Sequence, residues 1–436
     1  MHFNSFEFAL FFPVVTLFYF LLRGTARIYW LLAASLVFYA AYIPAYTLIL
    51  VGMVLIDYLA GLLLASTESP AKRQLYLALS LISNLGILCA FKLSTQWALP
   101  IGLSFHTFQS MAYTIEVYKR RYPAERSLPH LALYVLFYPQ LVAGPIERPQ
   151  NLLRQLHLEH NFSKQRLNQG LRQMFWGLFK KAAIADRLAI IADSIFNQTT
   201  PSGPVVIIGA LAFSFQIYCD FSGYSDMALG AARVMGFELT TNFRRPYFAG
   251  SFQDFWRRWH ISLSTWFRDY VYFPLGGTAS ALIAVFLLSG VWHGSHWTFV
   301  IWGALHAAFR LIERQFPKQH RPLLVFACVT YGWLFFRATS VTQAFQMTLA
   351  LVHGWGTVLD PINFLRTVTQ GYGGTWNYIY AIAGVVILLA VDFCLERGWC
   401  LEARPAWQRA VAYNVALVSL YSLWAKDNQQ FIYFKF

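Results

Sequence analysis

Residues 289–307 read SGVWHGSHWTFVIWGALHA. The run is apolar enough to sit in a membrane, yet it carries three imidazoles, His293, His296 and His306. A polar side chain at membrane depth is costly, and by default it points to a pathway or a reaction. A hydrogen-bonded core histidine is the plain alternative, because a neutral imidazole costs less than a carboxylate. His293 and His296 are spaced i, i+3, but no further acidic or cysteine ligand stands nearby to complete a tetrahedral site, so no metal is expected.

Outward from this stretch the same composition continues. The chain has 436 residues, 57% of them hydrophobic and 12% charged, and that charged share is about half that of a soluble domain. Apolar runs recur from end to end, which describes one polytopic bundle rather than an anchored soluble domain. Judged against a crossing of ~20 residues, the candidate spans are 6–22, 28–43, 46–65, 75–91, 101–118, 171–195, 204–220, 280–292, 296–312, 322–338, 378–395 and 408–424. Pro44 and Pro100 mark breaks between spans. The first run, Phe6–Leu22, lacks preceding basic residues and a small-residue cleavage site, so it reads as a retained helix. The cysteines, Cys89, Cys219, Cys328, Cys394 and Cys400, form no CxxC pair and suggest no disulfide framework.

The net charge of +14 fits cytoplasmic loops and lipid headgroups, and nucleic acid is not expected as a partner. Arg23 and Arg27, Lys72 and Arg73, and KRRYPAER (119–126) fall in alternate loops. RLIERQFPKQHR (310–321) and ERGWCLEARPAWQR (396–409) fall on the same side, while NQTTPSGP (197–204) carries no charge. The positive-inside rule then puts both termini outside the cytoplasm.

Two stretches are not ordinary spans. Residues 131–150, LALYVLFYPQLVAGPIERPQ, are too short to cross and are broken by Pro139, Gly144 and Pro145, which predicts a re-entrant or interfacial segment. Residues 240–277 set Arg244, Arg245, Arg257, Arg258 and Arg268 among aromatics, which predicts amphipathic helices at the cytoplasmic face. On a helix, Trp256 and His260 would share a face at i, i+4. An interfacial belt of tryptophan and arginine is the alternative for that window.

These stretches also carry a resemblance. MHFNSFEFALFF (1–12), GLSFHTFQSMAYTIEVYKR (102–120), FYPQLVAGPIERP (137–149), FSFQIYCDFSGYSDMALGAARVMGFEL (213–239), NFRRPYF (242–248), FWRRWHISLSTWFRDYVYFPLGG (255–277) and SGVWHG (289–294) resemble the membrane-bound O-acyltransferase (MBOAT) family. The similarity is to its bacterial branch, which includes alginate O-acetylases and the D-alanyl transferase of teichoic acid. It implies an all-α polytopic membrane protein, an MBOAT-type bundle of about 11–12 transmembrane helices with re-entrant and interfacial helices around a central tunnel. Residues 1–436 would form one membrane domain, with N-terminal helices at 1–130, a catalytic core at 131–312, and C-terminal helices with an aromatic tail at 313–436.

By the resemblance, His293 matches the family's catalytic histidine and His260 its second active-site position, which is Asn or Asp in other branches. His296 and His306 match no required position. The implied reaction moves an acyl group, acetyl above all, from a cytoplasmic thioester such as acetyl-CoA or an acyl carrier to a hydroxyl of a cell-envelope or secreted polysaccharide. D-alanyl transfer to teichoic acid is the alternative. His293 would serve as general base, since an imidazole pKa near 6.5 suits that task. Lys180, Lys181, Arg244, Arg245, Arg257, Arg258 and Arg268 would bind donor phosphates, with Asp220, Asp226 and Asp254 as partners of such cations. The ending FIYFKF (431–436) resembles aromatic endings of bacterial relatives or their small partner subunits, and Tyr433 is expected to relay the acyl group to an extracytoplasmic esterase-like (SGNH) transferase. An interfacial anchor is the alternative reading of that tail. The implied location is the bacterial inner membrane.

Two other classes compete. A transporter predicts paired intramembrane carboxylates and internal repeats, and neither is apparent; Asp57 is the lone candidate. A scaffold for a polymer synthase predicts that loss of the His293 imidazole leaves function intact.

Overall fold

The computed structural model describes all residues except 95, 96, 98, 143, 199, 200, 317, 318, 400, 402, 403, 425–430 and 432–436. Among the described residues all regular structure is helical. The chain resolves into two compact units, the first built from residues 1–176 and 224–242 and the second from 177–223 and 243–436.

The first unit begins with α1 (Phe6–Leu21), α2 (Thr25–Ala40), α3 (Pro44–Ala65), α4 (Pro70–Leu93) and α5 (Leu103–Tyr118). Ser5 caps α1 by accepting from the Phe8 amide at 3.3 Å. Pro44 and Pro70 start α3 and α4, where a missing N–H costs nothing. The buried Asp57 on α3 accepts from the Ser80 hydroxyl (2.6 Å) and the Asn84 amide (2.9 Å) on α4, so its polarity is satisfied inside the helix pair. Residues 131–150 are broken as expected, into α6 (Leu128–Leu136) and α7 (Tyr138–Leu141). Leu131–Val142 are buried throughout, so this irregular backbone is shielded by protein. Then come α8 (Arg154–Leu156) and α9 (Lys164–Phe179), whose last turn belongs to the second unit.

The second unit contains α10 (Asp186–Phe196), most of α11 (Gly203–Met235), α12 (Phe252–Arg258), α13 (Ile261–Phe267), α14 (Ala279–His293), α15 (Trp297–Glu313), α16 (Pro322–Arg337), α17 (Val341–Ala350), α18 (Pro361–Gly371), α19 (Thr375–Glu396) and α20 (Ala406–Leu423). Among the described residues, α3, α4, α11 and α19 are long and apolar enough to cross a membrane, and α1, α2, α14 and α16 are shorter apolar helices. The protein is an all-α, multi-pass membrane protein.

Two expected spans differ from the helices observed. The run 171–195 is divided by a π-helical turn, Lys180–Ala185, between α9 and α10. Such turns recur at functional positions. The run 204–220 continues to Met235 as one helix of 33 residues. The short, partly exposed helices α17 and α18 fall between the expected spans 322–338 and 378–395.

Candidate active site

Residues 289–307 lie in the hairpin of α14 and α15. Thr278 opens α14 by accepting from the Ala281 amide at 3.2 Å, and α14 ends on His293, with Gly294 extended behind it. The two helices touch backbone to backbone because glycine stands at the crossing points. A methyl at Gly290 would overlap the Phe299 carbonyl oxygen and lie 3.0 Å from its carbon; one at Gly303 would meet the Phe286 carbonyl in the same way. This close approach carries His293 into an aromatic pocket. Its ring meets Trp292 at 4.8 Å, Trp302 at 5.3 Å and Phe336 of α16 at 5.1 Å, and the residue is only 7% exposed.

His260 arrives by a different route. α12 stops at Arg258, Trp259 is extended, and His260 has φ 43° and ψ 53° before α13 begins. A left-handed backbone is unfavourable for a side chain bearing a Cβ, and such strain clusters at functional positions. The expectation that Trp256 and His260 share one helical face is therefore corrected, because the helix is interrupted between them. Trp256 turns to His306 and Trp302, at 5.0 and 5.9 Å. His260 packs edge-on against Phe221 of α11 at 4.7 Å and meets Trp292 at 6.0 Å. The Trp292 indole is thus the common neighbour of both site imidazoles. Burial pushes the His260 pKa down to about 3, so its imidazole is neutral at physiological pH.

The remaining histidines of this hairpin part company. His296 is exposed at the start of α15. His306 is fully buried and ringed by Trp256, Trp302 and Phe309.

The basic residues also sort into classes. Arg245 and Arg258 share the Glu396 carboxylate at 2.6 and 2.8 Å, and Arg258 also holds Asp254 at 2.9 Å. Arg244 is exposed, and its amide donates to the Arg258 carbonyl. Lys181 is buried between Asp186 and Asp220, at 2.7 Å from each. Paired buried carboxylates, missing from the sequence pattern, are therefore created by the fold, with a lysine between them. The neighbouring Lys180 donates to Ser222 at 2.8 Å. Asp226 accepts from the Gln173 side-chain amide at 3.0 Å.

Arg257 and Arg268 are exposed. With Arg310 and Arg314 they border a cavity of about 660 Å³ whose inner wall includes Trp256, Phe286 and Ser289, the last one turn before His293. A second cavity of about 780 Å³ shares Arg257, Arg310 and Arg314 with the first. Among the described residues Arg257 has no carboxylate partner, whereas Arg268 pairs with Asp269 and Arg310 with Glu313. Arg310 and Arg314 stand in the basic loop expected at 310–321, yet they flank the end of α15; the i, i+4, i+8 spacing of His306, Arg310 and Arg314 is the signal in the sequence that could have found them.

Tyr433 lies outside the described residues. Two positions earlier, Phe431 is fully buried, with its ring 5.9 Å from Phe221, the residue that packs on His260.

A helical membrane protein with two buried imidazoles on one indole, and an arginine-bordered cavity in the same unit, has the parts of a membrane-embedded group-transfer enzyme. The family description "MBOAT, membrane-bound O-acyltransferase family" matches residues 69–351, and the chain belongs to that family. It is an O-acyltransferase. "Probable alginate O-acetylase AlgI" of Azotobacter vinelandii is 38% identical, over 81% of this chain and 78% of that protein. "Peptidoglycan O-acetyltransferase" of Helicobacter pylori is 32% identical, over 98% of this chain and 95% of that protein. "Teichoic acid D-alanyltransferase" of Bacillus subtilis is 28% identical, over 54% of this chain and 62% of that protein.

Proposed function

We propose that this protein transfers acetyl groups from a cytoplasmic thioester to hydroxyls of a cell-envelope or secreted polysaccharide, working in the bacterial inner membrane. The observation that carries the reading is the pair of buried imidazoles around Trp292, in a chain whose relatives over most of its length are named probable alginate O-acetylase and peptidoglycan O-acetyltransferase.

His293 accepts the hydroxyl proton as the new C–O bond forms, since a free alcohol is a poor nucleophile at neutral pH. The thioester C–S bond breaks, and His293 returns the proton to the departing thiolate. His260, neutral, donates an N–H to the oxyanion that develops on the carbonyl. Arg257, Arg268, Arg310 and Arg314 hold the phosphates of coenzyme A or of a carrier's phosphopantetheine. The apolar inner wall takes the arm.

The tail adds a step. The Tyr433 phenol is the hydroxyl that first attacks: it gives its proton to His293 as its oxygen bonds the acetyl carbon and the C–S bond breaks. The aryl acetate is presented to a separate extracytoplasmic esterase-like protein, which moves the acetyl to a polysaccharide hydroxyl while that hydroxyl's proton returns to the phenol. The burial of Phe431 beside Phe221 supports this reading. Tyr433→Phe keeps an aromatic anchor and removes the acceptor; polysaccharide acetylation in cells should be lost, and its full retention would end the relay idea.

The donor is tested with purified protein in liposomes given radiolabelled acetyl-CoA. Consumption of acetyl-CoA that disappears in His293→Ala is the expected result. An inert acetyl-CoA, with consumption of carrier-borne D-alanine instead, would favour the teichoic acid reaction.

A further inference from the structure

Arg187, in the first turn of α10, has a role that the chemistry above does not use. Its Nε donates to the Leu423 carbonyl at 3.0 Å and its Nη2 to the Trp424 carbonyl at 2.8 Å. Its Nη1 donates to Asn377 Oδ1 on α19 at 2.7 Å, and its guanidinium lies over the Tyr380 ring at 4.8 Å. These carbonyls close α20, where the last C=O groups of a helix have no partner of their own. One side chain therefore spends a rigid fork of donors on the point where the chain leaves its last helix.

The C-terminal tail starts at that point. Phe431 stands seven residues beyond Trp424 and is fully buried against Phe221, which packs on His260. Seven residues reach at most about 25 Å, so fixing Trp424 limits where Phe431 can settle. We infer that Arg187 is a positioning residue for the C-terminal tail: it holds the end of α20 and thereby seats Phe431 against Phe221, the ring that packs on His260. The inference rests on the reading that the tail works at this site.

The test uses the full-length protein in lipid nanodiscs, with hydrogen–deuterium exchange read on the peptide covering residues 425–436. Arg187→Gln should raise exchange there about tenfold, the worth of one charge-assisted hydrogen bond. Arg187→Lys, which keeps the charge but has a single donor nitrogen in place of the fork, should bring the exchange part of the way back to the wild-type rate. Arg337→Gln is the control. Arg337 pairs with Asp193 at 2.6 Å on the same α10 and, among the described residues, has no bond to the end of α20, so its loss should leave exchange of the peptide unchanged. In acyl transfer, Arg187→Gln should lower kcat while the KM for the thioester stays put, because the donor cavity is lined by other residues. Unchanged tail exchange in Arg187→Gln, or an equal rise in Arg337→Gln, would overturn the inference. Exchange that rises while transfer continues at the wild-type rate would support the clamp and instead refute the tail's part in the reaction.

Discussion

Gly290 is the position where geometry sets the size of an effect most directly. A methyl there would overlap the Phe299 carbonyl oxygen and stand 3.0 Å from its carbon, against ordinary contact from 3.4 Å. The obstacle is helix backbone, so it cannot be relieved by a side-chain rotation. α14 and α15 must part by several tenths of an ångström, and on the order of 1 Å to clear the oxygen, which as overpacking costs about 1–3 kcal/mol. His293 sits three residues further along α14, so the parting moves its ring from Trp302 and Phe336. A misplacement of that size costs roughly 100-fold in rate. Gly290→Ala should therefore fold with a lowered Tm and lose about two orders of magnitude in kcat. Turnover in liposomes, normalised to protein, and thermal unfolding in detergent read the two effects. Gly86→Ala on α4, where a methyl meets open space, is the comparator and should gain about 0.5–1 kcal/mol. Full activity in Gly290→Ala would refute the claim that helix contact sets the position of His293.

His260 is neutral when folded, with its pKa at about 3, and near 6.5 in the unfolded chain. The unfolded state then binds the extra proton between those values, and stability falls as pH drops below about 6.5. His260→Asn should lose less Tm than the wild type between pH 7.5 and pH 5, as followed by thermal unfolding. Arg257→Gln and Arg310→Gln should each raise the thioester KM by about 10- to 100-fold in steady-state kinetics with kcat held, since charge-assisted bonds to phosphate make the difference. Lys181→Met leaves Asp186 and Asp220 buried without their cation, and chemical unfolding should report a loss of about 3–5 kcal/mol.

How much was legible beforehand depended on the kind of signal. Apolar length revealed the membrane helices, because a bilayer imposes a minimum run. It failed at 171–195, where Lys180, Lys181 and Asp186 are tolerated only because Ser222 and Asp220, far along the chain, answer them. Pattern also placed Trp256 and His260 on one face, since a seven-residue helix ending just before a left-handed histidine leaves no periodic trace. His293 stood out by chemistry, an imidazole ending an apolar run. The partners that enclose it, Trp302 and Phe336, were invisible because aromatic residues are frequent throughout this chain, 18% of it. The cation set needed the fold most of all: it sorts Arg245 and Arg258 into ion pairs and gathers Arg310 and Arg314 with Arg257 around a cavity.

The central claim is that the His293 imidazole takes the proton from the attacking hydroxyl. Its most direct test is a single-turnover measurement on purified protein carrying labelled acetyl thioester, comparing wild type with His293→Gln. The variant should bind the thioester with unchanged affinity and transfer no label above background. Transfer by His293→Gln at the wild-type rate would contradict it.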